Sequence, residues 1–169
     1  MKIIVVYKSK TGFSKQYAQW IQTSLNCDIL SLDKVKTLEG YDLVIYGAGL
    51  MAGKMNGLKD FKQYIKGQKT IIYATGAVSK DAIEVVEKIK NDNLSLFGKS
   101  VPFYYFEAGL DYEKLGFFSK KMLKMIYHSL KKKTDKTAEE IGMMEAIAHS
   151  HNYAKQSDIL LLIETVKQS

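Results

Sequence analysis

The sequence contains no arginine, one cysteine and one proline among its 169 residues. Without arginine, the chain has no guanidinium group for bidentate contacts to phosphate or guanine. The single cysteine, Cys27, excludes a disulfide or a cysteine-ligated zinc site within the chain. The single proline, Pro102, excludes a proline-rich linker. These absences favour a globular protein of a reducing compartment.

Long apolar segments are also missing. The two clear apolar runs, Ile3–Tyr7 and Ile159–Ile163, are far shorter than the roughly 20 residues that span a bilayer. The first run is too short for the apolar part of a signal peptide, and Lys8 and Lys10 follow it directly. We therefore expect a cytoplasmic protein with no targeting segment and no membrane span.

Positive charge is concentrated in one segment. The formal net charge is +7, and all 25 basic residues are lysines. Residues Glu113–Lys136 hold eight lysines against Glu113 and Asp135, so nearly the whole surplus lies there. The remainder of the chain is close to neutral. If the positive charge attracts an anionic partner, we expect that partner to bind this segment.

Short apolar runs alternate with amphipathic helical patterns along the first two thirds of the chain. Their β-branched composition is typical of strands that are buried on both faces of a parallel sheet. This alternation predicts an α/β fold, a doubly wound parallel sheet with helices on both faces, in one domain over residues 1–169. The predicted strands are Lys2–Tyr7, Cys27–Leu32, Asp42–Gly47, Lys69–Ala74 and Val101–Phe106.

The last third of the chain is predicted to be a helical elaboration. Residues 113–133 follow the spacing of a long amphipathic helix within a basic insertion over 113–136. Thr137 and Glu140 have the spacing of a capping box, which indicates the start of a shorter helix. A final helix is expected around Ile159–Val166.

The most specific motif lies between the first predicted strand and the first helix. Hydroxyl groups, a glycine and the backbone N–H groups of a helix start converge there, and the helix N-terminus adds partial positive charge. Such a loop binds phosphate without arginine; its alternative role is simple helix capping by Ser14. The motif is neither a Walker loop nor a dinucleotide fingerprint. It comprises Ser9, Lys10, Thr11, Gly12, Phe13 and Ser14.

This motif resembles the phosphate loop of flavodoxins, whose pattern is Ser/Thr-x-Thr-Gly-x-Thr/Ser. The resemblance covers residues 1–106 and implies a five-stranded sheet of order 2-1-3-4-5, with helices on both faces, that binds FMN. The phosphate would lie on the Ser9–Ser14 loop, and the flavin ring between two further loops, after the third and fourth strands. These loops would contribute Ala48, Gly49, Leu50 and Met51, and Thr75, Gly76, Ala77 and Val78.

The basic helix admits two interpretations. An apolar stripe that includes Leu115, Leu123 and Leu130 is typical of a helix that packs on the domain core with a solvated basic face. Alternatively, its lysines attract an anionic membrane surface or the carboxylates of a tetrapyrrole substrate. The lysines concerned are Lys120, Lys121, Lys124, Lys131, Lys132 and Lys133.

A second, less specific resemblance concerns the same region. The sequence Ala108–Tyr112, which precedes the basic helix, and Gly47–Met51 are similar to segments of the flavodoxin-fold, quinone-dependent protoporphyrinogen oxidases. Those enzymes are basic and associate with membranes, which would place the chain on the inner face of the membrane.

Three functions therefore stay open at this stage. The first is an FMN-binding electron carrier that serves a redox partner protein or a quinone. The second is a protoporphyrinogen oxidoreductase that uses the same flavin. The third is a membrane-surface module without redox activity. Metal binding is not expected, since His149 and His151 do not share a helix face, and nucleic acid is disfavoured by the lack of arginine.

Overall fold

The computed structural model describes residues 1–98 and 100–168. Its central sheet has five parallel strands in the order β2-β1-β3-β5-β6, and a short strand, β4, pairs antiparallel with β3. Counted without β4, this is the predicted order, and the predicted α/β class is confirmed. The strands are β1 (Ile3–Lys8), β2 (Asp28–Ser31), β3 (Leu43–Met51), β4 (Lys54–Met55), β5 (Lys69–Gly76) and β6 (Phe103–Glu107).

Four helices cover the two faces of this sheet. One core contains residues of α1 and α6, including Tyr17, Ile21 and Leu162, and the other contains residues of α2 and α3, including Phe61 and Ile89. The sheet is therefore buried on both faces, which explains its continuous apolar strands. These helices are α1 (Phe13–Leu25), α2 (Leu58–Gln63), α3 (Ile83–Leu94) and α6 (Leu160–Lys167). We call β1–β6 and these four helices the sheet body.

The segment from residue 109 to residue 152 forms a separate layer, which we call the helical elaboration. Its two ends pair as an antiparallel ladder, in which Gly109 is opposite Asn152 and Leu110 is opposite His151. The predicted capping box at Thr137 is confirmed, because its hydroxyl and the Glu140 carboxylate each accept a backbone N–H of the other residue. The elements are β7 (Gly109–Leu110), α4 (Phe117–Lys132), α5 (Ala138–Ala148) and β8 (His151–Asn152).

Two predicted boundaries are wrong by four residues each, whereas the other strand ends differ by at most two residues. The third strand does not end at Gly47 but continues to Met51 and turns back as β4, so part of the expected loop is a β-hairpin. The basic helix begins at Phe117 rather than at residue 113, because residues before it form a turn in which the Leu115 N–H donates to the Asp111 carbonyl at 3.2 Å. Both differences lie beside the same edge of the sheet.

Within the part of the chain that the structure describes, no helix is long and apolar enough to cross a membrane.

Candidate functional site

The loop after β1 approaches the start of α1 through a left-handed residue. Gly12 has φ 97° and ψ −21°, a conformation that favours glycine, and its carbonyl accepts the Gln16 N–H at 2.9 Å. The Ser9 hydroxyl accepts the Gly12 N–H at 3.1 Å and so stabilises the turn. The first N–H groups of α1 have no partner within the helix, and they lie at the carboxyl end of β1.

Two buried hydroxyls join this loop to β5. Ser14 Oγ and Thr75 Oγ1 are 2.7 Å apart, and each residue is 3% exposed. The Tyr73 hydroxyl donates to the Ser14 carbonyl at 2.9 Å, and burial raises the pKa of Tyr73, so the phenol stays a neutral donor. Gly47 leaves room for this ring, because a Cβ there would overlap it. Ser14 therefore ties the candidate phosphate loop to the sheet. The sequence pattern predicted Ser14 as a phosphate-binding residue, with helix capping as the alternative, and the N-cap of α1 is Gly12.

The hairpin after β3 turns at two left-handed residues, Ala52 with φ 48° and Gly53 with φ 75°. Its tip is held by the buried side chain of Asn93 on α3. The Asn93 amide donates to the Gly53 carbonyl at 2.9 Å and its oxygen accepts the Met55 N–H at 2.9 Å. The sequence patterns did not predict Asn93 as a residue that shapes the site. A polar residue on the apolar side of an amphipathic helix was the available signal.

A further amide fixes the strand that enters this hairpin. The Gly49 carbonyl accepts both the Asn56 N–H at 3.0 Å and the Asn56 side-chain amide at 2.7 Å. A Cβ on Gly49 would lie 3.6 Å from Ser14 Oγ and 3.7 Å from Thr75 Oγ1. Glycine therefore leaves open the space above the buried hydroxyl pair, where the phosphate loop, β3 and β5 meet.

The loop after β5 is held from the neighbouring strand. The Tyr105 hydroxyl donates to the Val78 carbonyl at 2.9 Å, and the Gly76 carbonyl accepts the Ala108 N–H at 2.7 Å. The Val78 side chain is exposed. These bonds fix the backbone of the second predicted flavin loop relative to β6.

These three loops surround a cavity of about 290 Å³. Most of the residues predicted for the flavin site line it, whereas Gly12 lines a neighbouring cavity and Ser9, Ala48 and Val78 line neither. Ala48, in β3, is fully buried in the core. The Ser9 hydroxyl accepts the Gly12 N–H within the turn. The predicted residues that line the cavity are Lys10, Thr11, Phe13, Ser14, Gly49, Leu50, Met51, Thr75, Gly76 and Ala77.

The helical elaboration forms the remaining wall of this cavity. Its contribution is apolar apart from Ser119 and comes from β7, the turn after it and α4. None of the α4 side chains is buried, so the interpretation that this helix packs on the domain core is wrong. The apolar stripe that includes Leu115 and Leu123 was visible in the sequence, but the cavity that these two residues line was not. The additional lining residues are Gly109, Leu110, Leu115, Ser119, Met122 and Leu123.

The outer side of α4 exposes large apolar side chains beside its lysines. Phe117 is 74% exposed, Phe118 is 85% exposed and Met125 is 67% exposed. Lys121 and Lys124 are exposed on the same helix, whereas Lys120 is half-buried. Lys131, Lys132 and Lys133 are also exposed.

Two of the predicted patch lysines therefore differ from the expectation of one open basic flank. Lys120 is half-buried, and the Lys133 ammonium is paired with the Glu140 carboxylate at 2.6 Å. That ion pair lowers the pKa of Glu140, with the capping-box bonds from Thr137 contributing. Lys121, Lys124, Lys131 and Lys132 remain as the open part of the patch.

Among the described residues, no group of three or more histidine, cysteine, aspartate or glutamate side chains is placed to hold a metal ion.

A doubly wound sheet with a glycine-containing loop at the carboxyl end of β1 defines the class of α/β proteins that bind phosphorylated ligands at this edge. The family model described as "Flavodoxin domain" matches residues 4–137. The chain therefore belongs to the flavodoxin domain family, and this membership supports a flavin-binding redox role.

Several solved structures are similar to the chain at low sequence identity. A flavodoxin from the domain Archaea is 18% identical, with 88% of this chain and all of that chain covered and a TM-score of 0.46. Rubredoxin oxygen:oxidoreductase from Desulfovibrio gigas is 10% identical, with 99% of this chain and 37% of that chain covered and a TM-score of 0.45. The Trp repressor binding protein from Bacillus subtilis is 13% identical, with coverage of 64% and 85% and a TM-score of 0.46. No curated protein matches the chain.

Proposed function

We propose that this protein binds FMN without a covalent link and carries electrons through it to a redox partner protein or a quinone. The observation that carries the proposal is the left-handed Gly12 turn at the start of α1, placed beside a cavity of about 290 Å³. A phosphate at this turn and a planar ring in the cavity would occupy adjacent places, as a flavin mononucleotide requires. FMN, when bound, supplies one- and two-electron redox chemistry.

The phosphate end of the site uses backbone and hydroxyl groups. N–H groups at the start of α1 point toward the loop, and the helix dipole favours an anion there. Thr11 lines both cavities, so its hydroxyl would be available to donate to a phosphate oxygen. Ser14 acts differently, since its hydroxyl is engaged with Thr75, and it holds the loop in place for the other donors.

The part of the cavity that would hold the flavin ring is lined mostly by apolar groups. Gly49 leaves the floor of the cavity open, while Leu50 and Met51 from one side and Leu115 and Leu123 from the other provide apolar walls. These side chains would exclude water from a bound ring, and a drier site strengthens each electrostatic contact made to it.

Titration of the apoprotein with FMN and with riboflavin tests the proposal. FMN should bind more tightly, and Thr11→Ala should weaken FMN binding by about 1–3 kcal/mol while leaving riboflavin binding unchanged. Thr23→Ala, at an exposed position farther along α1, is the matched control. Equal affinities of the wild type for the two flavins would contradict the phosphate-loop assignment.

A second candidate role is peripheral binding to an anionic membrane, which the outer face of α4 favours. Exposed Phe117, Phe118 and Met125 lie on the same helix as exposed Lys121 and Lys124. Aromatic side chains that enter the interface and lysines near anionic headgroups, worth about 1 kcal/mol each, act together in such helices. The outer face of α4 would then meet the lipid, while the other side of the same helix lines the cavity.

Sedimentation with phosphatidylserine-containing and purely zwitterionic vesicles tests this role. The wild type should pellet with the anionic vesicles at low salt and be released at high salt. Lys121→Glu/Lys124→Glu should abolish pelleting without changing FMN affinity. Lys66→Glu/Lys167→Glu, on exposed lysines elsewhere on the body, gives the same change of net charge and should still pellet.

The same preparations separate the carrier from the enzyme. Anaerobic reduction of the bound flavin by a porphyrinogen would support the protoporphyrinogen oxidoreductase alternative. Flavin reduction only by a partner protein, with rates that depend on salt and not on lipid, would support the soluble carrier. A protein that binds vesicles but no flavin would instead support the non-redox membrane module.

A further inference from the structure

A lysine of the helical elaboration lies beside the phosphate loop. Lys114 Nζ is 3.9 Å from the point that a Cβ atom would occupy on Gly12. Lys114 and Gly12 also line the same outer cavity, of about 610 Å³, which shares Thr11 and Phe13 with the flavin cavity. An ammonium group therefore reaches the turn at which the loop and α1 meet, although 102 positions of sequence separate the two residues.

The loop's own lysine is directed elsewhere. Lys10 Nζ lies 4.0 Å from Met51 Sδ, on the side of the hairpin after β3. Because the chain has no arginine, lysines are the permanent cations with which it could neutralise a phosphate. Lys114 is placed for this role beside Gly12, whereas Lys10, the lysine within the motif, lies near Met51.

A neighbouring carboxylate holds Lys114 in position. Asp111 Oδ2 is 2.9 Å from Lys114 Nζ, and Asp111 Oδ1 accepts the backbone N–H groups of Glu113 at 3.1 Å and Lys114 at 3.4 Å. The bond from Lys114 lowers the pKa of Asp111, so the carboxylate stays charged at neutral pH. Asp111 thereby orders a side chain that is 62% exposed and would otherwise sample many rotamers.

The turn that carries this pair is anchored by the far end of the elaboration. The Tyr112 N–H donates to Ser150 Oγ at 3.0 Å, and the Tyr112 hydroxyl donates to the Ile147 carbonyl. Just before them, Leu110 pairs with His151 in the β7–β8 ladder. These contacts hold the turn at residues 110–114 to the end of the elaboration, with Lys114 beside Gly12.

We propose that Lys114 is a phosphate-binding residue of the flavin site and that it selects a dianionic phosphate monoester over an uncharged ligand. This inference rests on the proposed FMN site and names a recognition group that the loop motif does not contain. Lys114 would donate to a phosphate oxygen from the side opposite the α1 N-terminus. Its charge would add to the helix dipole, which by itself supplies about half an elementary charge.

The ratio of FMN affinity to riboflavin affinity measures this contribution. Lys114→Met keeps the length of the side chain and removes its charge, and it should lower the ratio about tenfold while leaving riboflavin affinity unchanged. Lys114→Arg keeps the charge and should retain most of the ratio. Lys66→Met, at an exposed position outside both cavities, gives the same change of net charge and should leave the ratio unchanged.

The pH dependence supplies a second readout. A phosphate monoester loses its second proton with a pKa of about 6, whereas lysine stays protonated across this range. The difference between wild type and Lys114→Met should therefore be larger at pH 7.5 than at pH 5. Asp111, Glu113 and His151 line the same cavity, and the wild type and the variant share Glu113 and His151 unchanged. Because Lys114 lowers the pKa of Asp111, the same comparison is made between Asp111→Asn and Asp111→Asn/Lys114→Met, which lack that carboxylate.

The possible results separate this inference from the proposed function. A wild type that prefers FMN, with a variant that retains the full preference at both pH values, would overturn the role of Lys114 and leave the FMN site standing. A wild type that binds FMN and riboflavin equally would overturn both. A loss of riboflavin affinity equal to the loss of FMN affinity would show that Lys114 supports the fold of the cavity and not the phosphate.

Discussion

The sheet body and the helical elaboration are stabilised by different interactions. In the body, aromatic rings stack within a closed core, for example Phe106 with Tyr17 at 4.8 Å and Tyr46 with Phe61 at 4.2 Å between centroids. In the elaboration, no α4 side chain is fully buried, and polar bonds such as the capping box of Thr137 stabilise its elements. Burial thus stabilises the body, whereas local bonds position the elaboration and leave much of α4 exposed.

The sharpest test of this difference compares the same substitution in both regions. Phe106→Ala should lower the free energy of unfolding by about 3–5 kcal/mol, because the ring is 2% exposed and its loss leaves a cavity. Phe118→Ala should change it by less than about 0.5 kcal/mol, since that ring is 85% exposed. Urea denaturation measures both values. Similar losses for the two variants would contradict the division.

A second test addresses the point at which the body shapes the site. Asn93→Ala should lower the free energy of unfolding by about 2–3 kcal/mol, because it leaves the buried Met55 N–H without its partner. FMN affinity should fall with it, since the Gly53 carbonyl also loses its bond. Asn91→Ala, at an exposed position of α3, is the control. Unchanged flavin affinity in Asn93→Ala would show that the hairpin keeps its shape unaided.

A third test loosens the elaboration alone. Thr137→Ala removes the cap of α5 and should cost about 1 kcal/mol of local stability. Hydrogen exchange should show faster exchange of the α5 amides, with β3 and β5 unaffected. Equally faster amide exchange in β3 and β5 would mean that the two regions unfold as one unit, which would contradict the division between them.

The smallest expected effect concerns Cys27, which precedes β2 at the edge of the body. Burial, followed by the nearby Asp28 charge, raises the pKa of the Cys27 thiol to about 11. The thiolate is the reactive form, so iodoacetamide should alkylate native protein slowly at pH 8 and faster as the pH approaches 11. Urea-unfolded protein should react readily near pH 8.5.

The sign of the stability effect follows from the same pKa. Since the folded state raises this pKa above the unfolded value, Cys27 contributes stability below the unfolded pKa and loses it as the pH rises toward 11. Cys27→Ser should flatten that decline. Thr137→Ala should leave the alkylation rate unchanged, because it loosens the other region.

The sequence predicted the body better than the elaboration, for a physical reason. Continuous β-branched runs such as Ile3–Tyr7 have one stable environment, the middle of a parallel sheet, so the strand positions followed directly. The strand order came instead from the resemblance of the Ser9–Ser14 motif to flavodoxins. The amphipathic stripe of α4 has no unique partner. Periodicity shows that Leu115 and Leu123 share a face, but not that this face lines a cavity instead of packing in the core.

Contacts across long sequence distances account for the rest. The positions of Asn93 at the hairpin tip and of Lys114 at Gly12 depend on how separate elements meet in space, which no local motif records. The Ser9–Ser14 pattern located the candidate phosphate loop because a tight turn into a helix is a local property. It could not distinguish Ser14, bound to Thr75, from the hydroxyls that remain available.

The β7–β8 ladder affects how well the fold tolerates changes in the length of the segment between residues 109 and 152. Between Gly109 and Asn152 the backbone leaves the body and returns to the same point, where the Tyr153 N–H donates to the Ala108 carbonyl at 2.9 Å. The entropy of closing such an excursion grows only with the logarithm of its length, about 0.6 kcal/mol for each doubling. Because the ladder brings residues 109 and 152 together, α6 can pack on α1 whatever the length of the segment between these two residues. Insertions and deletions between residues 109 and 152 should therefore change the stability of the sheet body little. The surface of the elaboration can then vary in sequence while the sheet keeps its structure.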